Sequence, residues 1–296
     1  MIANSIILYI AVKYKIVLKN FANFAITQIC SASLIFCTAT TIKVVDDLFP
    51  FVNEINNRND LCKCLPILMA YYFGYQVRDS TAIFIQLNKL IALKWPIFFR
   101  RSRLMGKILP TTILTVLYAL GTIGLLLSYY DKMSIPNICE SPTIFGTTRI
   151  IIVNSLGIIV SLVTICIKII CFILSKKLQG SNKRIKIVPT ITINSAPHTS
   201  KIVRSKTFTD TVAKAMFFDF LNYIFLWTLP QLIYLFLYIF DAPSNIIILS
   251  NDIQTHCLFL NSILNAIIFV LTISEWRKLF IHELIKSKIF NVCLKH

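Results

Sequence analysis

Three ionisable side chains stand inside long apolar runs of this chain. Arg78 and Asp79 interrupt "YYFGYQVRDSTAIFI", and Asp219 interrupts "AMFFDFLNYIFLW". A charge in hydrocarbon costs at least about 2.5–3.5 kcal/mol on insertion scales, so each is a functional candidate by default. Such residues can hold a partner charge, line an ion path or bias the packing of helices. Consecutive helical residues point about 100° apart, so Arg78 and Asp79 do not face each other squarely. Arg78 is expected to supply a fixed positive charge; the alternative is a structural ion pair with Asp219 or Asp79. A further pair, Asn88 and Lys89, closes the same run in "QLNKLIALKWP". Asn261 and Asn265, in "NSILNAIIF", lie four residues apart and share a helix face. Amides on one face of a membrane helix serve as helix-helix glue.

The chemistry available elsewhere is limited. The histidines are His198, His256, His282 and His296, without HxxxH or HExxH spacing. The nine cysteines are scattered without paired CxxC spacing. No zinc or di-metal site, no cofactor and no enzymatic activity are expected. A secondary transporter using Arg78, Asp79 and Asp219 is an alternative. The absence of an internal repeat and an odd number of spans weigh against it.

These residues need elements to hold them. Of the 296 residues, 56% are hydrophobic and 15% charged, and the mean hydropathy is +0.72. That surplus implies a lipid-facing surface. Seven apolar segments cover roughly 1–17, 21–45, 65–93, 108–129, 150–174, 212–240 and 253–274. Six are long enough to cross a hydrocarbon core of about 30 Å, which takes about 20 helical residues. They are continuous rather than alternating, and only helices or closed barrels satisfy their backbone in lipid, so they read as helices. The first clean run has twelve residues, about 18 Å of helix, too short to span. Half of that helix is expected to lie outside the sequence.

Charge sets the orientation. The gaps after segments 1, 3 and 5, with the segment ends that border them, and the tail hold 22 of the 30 basic residues, while the opposite gaps hold 8 of the 13 acids. The basic side belongs in the cytosol, which leaves the N-terminus outside in a multi-pass plasma-membrane protein. The net charge of +17 is then a topological signal with contact to anionic lipid, and no nucleic-acid partner is implied. The chain reads as a single membrane domain over 1–296. Residues 175–211 form a flexible basic cytosolic loop. Residues 275–296 form an amphipathic helix and tail on the inner leaflet.

The spacings resemble those of the rhodopsin-like G-protein-coupled receptors. In segment 7, Asn265, Ala266 and Phe269 fall on the family's Asn-Pro-x-x-Tyr positions, with proline and tyrosine both replaced. Trp276 and Arg277 fall on the Phe-Arg pair of helix 8. Asn88, Lys89 and Leu90 stand at the Asp-Arg-Tyr positions, followed by Pro96. Asn4 and Asn23 match the asparagine of helix 1 and the start of helix 2. Ser33 replaces the sodium-site aspartate, so that ion site is not implied. Trp227 lies three residues before Pro230 where the family has two. Segment 4 lacks the family tryptophan and segment 5 its proline. These departures make the chain most similar to the nematode serpentine chemoreceptors of the Srsx class.

The resemblance implies an all-α seven-transmembrane bundle with a short helix 8, an extracellular small-molecule or peptide ligand, and a heterotrimeric G protein as partner. It implies a disulfide between Cys64, counted 25 residues back from Lys89, and Cys139, with Cys62 as a competitor. It also implies a latch between Lys89 and Asp210, looser than with arginine because lysine lacks the bidentate fork. The ligand cavity would lie in the outer half of the bundle, near Tyr71, Tyr72, Tyr75 and Trp227. Tyr71 stands where amine receptors carry aspartate, which disfavours an amine. Ser33, Arg78, Asp79, Asp219 and Asn261 form the expected intramembrane polar network.

Overall fold

A computed structural model describes residues 1–48, 59–128, 145–185 and 217–286. Its elements, in chain order, are α1 (Ile2–Lys13), α2 (Phe21–Leu48), α3 (Asn59–Lys94), α4 (Pro96–Arg101), α5 (Met105–Leu127) and α6 (Thr147–Ile185). They continue with α7 (Phe217–Ile239), α8 (Ser244–Thr272) and α9 (Ser274–Lys286). No strand occurs among the described residues. The architecture is a seven-helix membrane bundle, α1, α2, α3, α5, α6, α7 and α8, with α4 and α9 as short accessory helices.

The lipid-facing surface is visible in α5. Leu109, Ile113, Leu117 and Leu120 are exposed along one stripe, whereas Thr111, Thr115, Ala119 and Thr122 are buried on the opposite one. Large apolar side chains outside and small or hydroxylated ones inside is the arrangement that lipid favours, since hydrocarbon drives no burial of leucine and small residues let helices approach. The inward threonines bond to carbonyls of their own helix, Thr111 Oγ1 to Lys107 O at 2.8 Å and Thr122 Oγ1 to Ala119 O at 2.8 Å.

By length and composition five helices among the described residues can cross a membrane: α2, α5, α6, α7 and α8. The sequence reading expects six, and α3 is the difference. It has 36 residues, ample to span, but it carries Gln76, Arg78, Asp79, Ser80, Thr81 and Gln86, all buried. The reason is its position. α3 packs against α2, α5 and α6, so it is solvated by protein rather than by lipid and can afford polar residues. α3 stops at Lys94 because Pro96 removes an N–H donor and restrains Trp95 before it; the proline then takes a first-turn position of α4.

α6 continues to Ile185, eleven residues into the stretch read from sequence as loop. "SKKLQGSNKRI" holds lysine, leucine, glutamine and arginine, which favour helix. The remainder of that loop lies outside the described residues.

α9 is clamped beneath α1 and α2. Ile273 is extended at the end of α8, so the chain turns into α9 there. Trp276 is buried with Ile7, Ile10, Ile16, Ile26 and Ala266, and its indole N–H donates to Asn23 Oδ1 at 2.9 Å. Lys19 pairs with Glu275 at 2.9 Å and Lys13 with Glu283 at 2.8 Å. The hydrogen bond from Lys19 holds the Glu275 carboxyl below the usual carboxylate range. Asn4, on α1, donates to Ser262 Oγ of α8 at 2.8 Å, which ties the two ends of the chain.

Gly74 sets the distance between α2 and α3. A Cβ there would lie 2.7 Å from Ala32 O and 2.8 Å from Phe36 N, both backbone atoms that cannot step aside. Gly74→Ala is therefore expected to destabilise the bundle by about 1–3 kcal/mol, the usual cost of overpacking. Thermal unfolding of the purified protein in detergent checks this; an unchanged midpoint would show that the seam has slack.

Candidate functional site

The centre of the bundle is a carboxylate with three donors. Asp79, fully buried on α3, accepts on Oδ1 from Tyr223 OH at 2.9 Å, Trp227 Nε1 at 3.0 Å and Ser161 Oγ at 3.3 Å. The donors come from α6 and α7, so this one atom joins three helices. Hydrogen bonds to an ionised acceptor are shorter and stronger than neutral ones, and they offset part of the cost of burial.

Arg78 turns the other way. Its guanidinium lies 4.2 Å from the centre of the Trp227 ring, and it donates to Asn261 Oδ1 on α8. Among the described residues no ion pair joins Arg78 to Asp79 or Asp219, which corrects the alternative read from sequence. The roughly 100° between consecutive side chains sends them to different helices. Trp227 thus holds Asp79 with its N–H and Arg78 with its π face, and Tyr75 stacks on it at 5.1 Å and 16°.

Asp219 pairs instead with Lys168 of α6, Nζ to Oδ2 at 2.9 Å. Lys168 also lies 4.5 Å from the centre of the Tyr223 ring. A cavity of about 40 Å³ separates this pair from Arg78 and Asp79 and is also lined by Lys89, Asn261, Asn265 and Phe269. It has the scale of a water or two. Asn265 extends the network: its Nδ2 donates to Asn261 Oδ1 at 3.0 Å, and its Oδ1 accepts from Asn222 Nδ2 at 2.8 Å.

The Trp227–Pro230 spacing has a structural answer. Residues Ile224–Thr228 form a π-helical turn. Leu229 N–H bonds to Ile224 O, five residues back, and Thr228 Oγ1 bonds to Tyr223 O at 3.2 Å. A π turn holds one residue more than an α turn. It absorbs the extra position before Pro230 and leaves Trp227 buried in the core.

Of the residues singled out from sequence, Arg78, Asp79, Trp227 and Asn261 converge at the centre. Asp219, Lys89, Asn265 and Phe269 border the small cavity. Tyr71 and Tyr72 lie further out, Tyr71 4.9 Å from Phe36 and 5.2 Å from Tyr72 between ring centres. Ser33 is buried on α2, Asn88 is half-buried, and Lys89 is exposed at the end of α3. Cys64 is disulfide-bonded, whereas Cys139 and Asp210 lie outside the described residues.

The sequence reading misses Ser161, Lys168, Asn222 and Tyr223. A signal for two of them exists. Ser161, Thr164 and Lys168, all buried, stand at i, i+3 and i+7 of an otherwise apolar helix, a polar stripe that faces the bundle. Tyr223 and Asn222 have no such mark, because one tyrosine and one amide are ordinary in a membrane helix.

A seven-helix bundle with an interior polar knot and a clamped eighth helix defines a membrane protein of the G-protein-coupled receptor class. The profile of the serpentine type 7TM GPCR chemoreceptor Srsx matches residues 1–284, and the chain belongs to that family. Comparison with curated proteins finds no matching relative.

The Lys168–Asp219 pair generates a stability prediction. Lys168→Met leaves a carboxylate without its buried partner and should cost about 3–5 kcal/mol. The double variant Lys168→Met/Asp219→Leu should recover most of that loss. Unfolding midpoints of the three proteins test this, and equal losses in single and double variants would refute an energetic coupling.

Proposed function

We propose that the chain is a plasma-membrane chemosensory receptor, with its N-terminus outside, that binds an extracellular small molecule or peptide and activates a heterotrimeric G protein. It is a receptor rather than an enzyme. The observation that carries this reading is the Trp227 knot: one side chain on a π turn, three residues before Pro230, holds Asp79 and Arg78 of α3 together. Membership of a chemoreceptor family favours this over the transporter reading.

The mechanism is a population shift between two packings of α7. Agonist binding in the outer half, near Tyr71, Tyr72 and Tyr75, favours a state in which Trp227 releases one of its two α3 partners. α7 then moves at its cytosolic end and opens a surface for the G protein. The Cys64–Cys139 disulfide would fix the outer end of α3. Lys89 and Asp210 would latch the inner end, with Asn88 beside them and Asn265 and Phe269 as the moving part of α8. Supporting Lys89 in this role is its place at the exposed end of α3, on the same small cavity as the Lys168–Asp219 pair.

Two measurements test the reading. In cells expressing the receptor with G proteins, Arg78→Ala should abolish the second-messenger response to an agonist, whereas Arg78→Lys should keep part of it. Normal responses from both variants would remove Arg78 from the switch. For the latch, Asp210→Ala should raise basal signalling, and exchanging the charges (Lys89→Asp with Asp210→Lys) should return it to the wild-type level. A double variant that behaves like Asp210→Ala alone would show that no latch exists.

A further inference from the structure

The turn that joins α3 to α5 carries positive charge that no acid among the described residues neutralises. From Ser80 to Tyr130 the sequence has six basic residues and no acid. The two lysines that flank the turn are engaged. Lys94 Nζ lies 4.8 Å from the centre of the Trp95 ring. Lys107 Nζ donates to Phe99 O at 2.9 Å, and Ser102 Oγ donates to the same carbonyl at 2.9 Å, which staples α4 to the start of α5. Arg100, Arg101 and Arg103 are exposed. Among the described residues they make no hydrogen bond, ion pair or ring contact, and the ion pairs there use Lys13, Lys19 and Lys168 instead.

Apolar surface borders the three arginines along the chain. Trp95 and Phe98 are exposed before them, Met105 and Leu109 after them. Met105 and Leu109 continue at four-residue intervals into Ile113 and Leu117, the lipid-facing stripe of α5. The stripe runs without a break from hydrocarbon to the guanidiniums, so these stand where acyl chains give way to headgroups. The G-protein surface proposed above opens at α7, whereas α5 packs against α2, α3 and α6.

We propose that this turn docks an inner-leaflet phospholipid whose headgroup bears phosphomonoesters, the phosphoinositide class. The choice of leaflet rests on the orientation proposed above. The planar fork of a guanidinium matches phosphate oxygens two at a time. Each phosphomonoester brings a charge of about −1.5 to −2 and no cation. Phosphatidylserine carries an ammonium that the arginines repel, and phosphatidylcholine has no net charge to offer. The apolar borders select a lipid over a soluble phosphate. Acyl chains lie along Met105 and Leu109, while Trp95 and Phe98 enter the interface, where aromatic rings are favoured. A soluble inositol phosphate meets the arginines but leaves those side chains in water.

The test is native mass spectrometry of the full chain in detergent micelles, titrated with dioleoyl phosphatidylinositol bisphosphate or dioleoyl phosphatidylserine. Both faces of the protein are accessible there, and neither agonist nor G protein is present, so a failure leaves the receptor reading standing. The wild-type chain should hold the phosphoinositide about tenfold more tightly than phosphatidylserine. Arg100→Gln/Arg101→Gln/Arg103→Gln should lose about a hundredfold, near fivefold per arginine. Replacing the three by lysine should keep lipid binding but narrow the preference, since a point charge lacks the fork. Lys176→Gln/Lys177→Gln, which removes exposed charge from α6, should change little. Trp95→Ser/Phe98→Ser should weaken binding of the lipid but not of soluble inositol trisphosphate. Equal retention of the two lipids by the wild-type chain would overturn the proposal. So would a triple glutamine variant no weaker than the lysine control, or soluble inositol trisphosphate bound as tightly as the lipid. A triple variant that keeps the lipid but loses G-protein coupling would make the turn a protein contact instead. An N-terminal tag read on intact cells checks the orientation separately, and an inaccessible tag would overturn the choice of leaflet.

Discussion

A carboxylate in the middle of a membrane protein must be satisfied from within, and this requirement organises the bundle. Asp79 is fully buried, so its donors come from the neighbouring helices, Ser161 on α6 and Tyr223 and Trp227 on α7. Each fixes a rotation. Tyr223 and Trp227 reach the same oxygen only if α7 presents one face to α3, and the π turn at Ile224–Thr228 keeps that face aligned despite the residue inserted before Pro230. Arg78, one position away, applies the same logic to α8 through Asn261. Two consecutive residues of α3 thereby set the angular positions of three other helices.

The cost of this design explains the character of α3. A helix bearing so many buried polar groups cannot face lipid, and α3 does not; it is enclosed by α2, α5 and α6. The outer helices in turn can be almost wholly apolar because α3 supplies the polar anchoring. Hydropathy alone therefore undervalues the central span, and the helix with the polar residues that anchor its neighbours is the one that looks least like a membrane helix.

Much of the fold is legible in the sequence for physical reasons. Continuous apolar runs and the asymmetry of lysine and arginine leave few arrangements other than antiparallel membrane helices. Asn4, Asn23 and Trp276 are readable by register, and the hydrogen bonds they make join α1, α2, α8 and α9. The site is half legible. Arg78 and Asp79 stand out because charge in an apolar run is rare. Their partners do not follow, since pairing depends on helix rotation: the tempting acid for Arg78 was Asp219, and Lys168, unremarked in "TICIKIICF", takes it instead. The π turn is a similar case. A three-residue interval from tryptophan to proline marks an irregularity, but whether the backbone or the side chain absorbs it is a matter of packing against α3.

The glycine seam between α2 and α3 has a consequence for how such a bundle can vary. Where backbone touches backbone, no side chain remains to be exchanged, so the interval between the two axes is a property of the main chain alone. Ala32 O and Phe36 N meet the hydrogen face of Gly74 whatever stands nearby. Substitutions in the aromatic layer beside it, at Phe36, Tyr71 or Tyr75, then alter the lining of the interior while the axes keep their separation. The seam works as a fixed ruler, against which the chemistry of the chamber can be rewritten one side chain at a time.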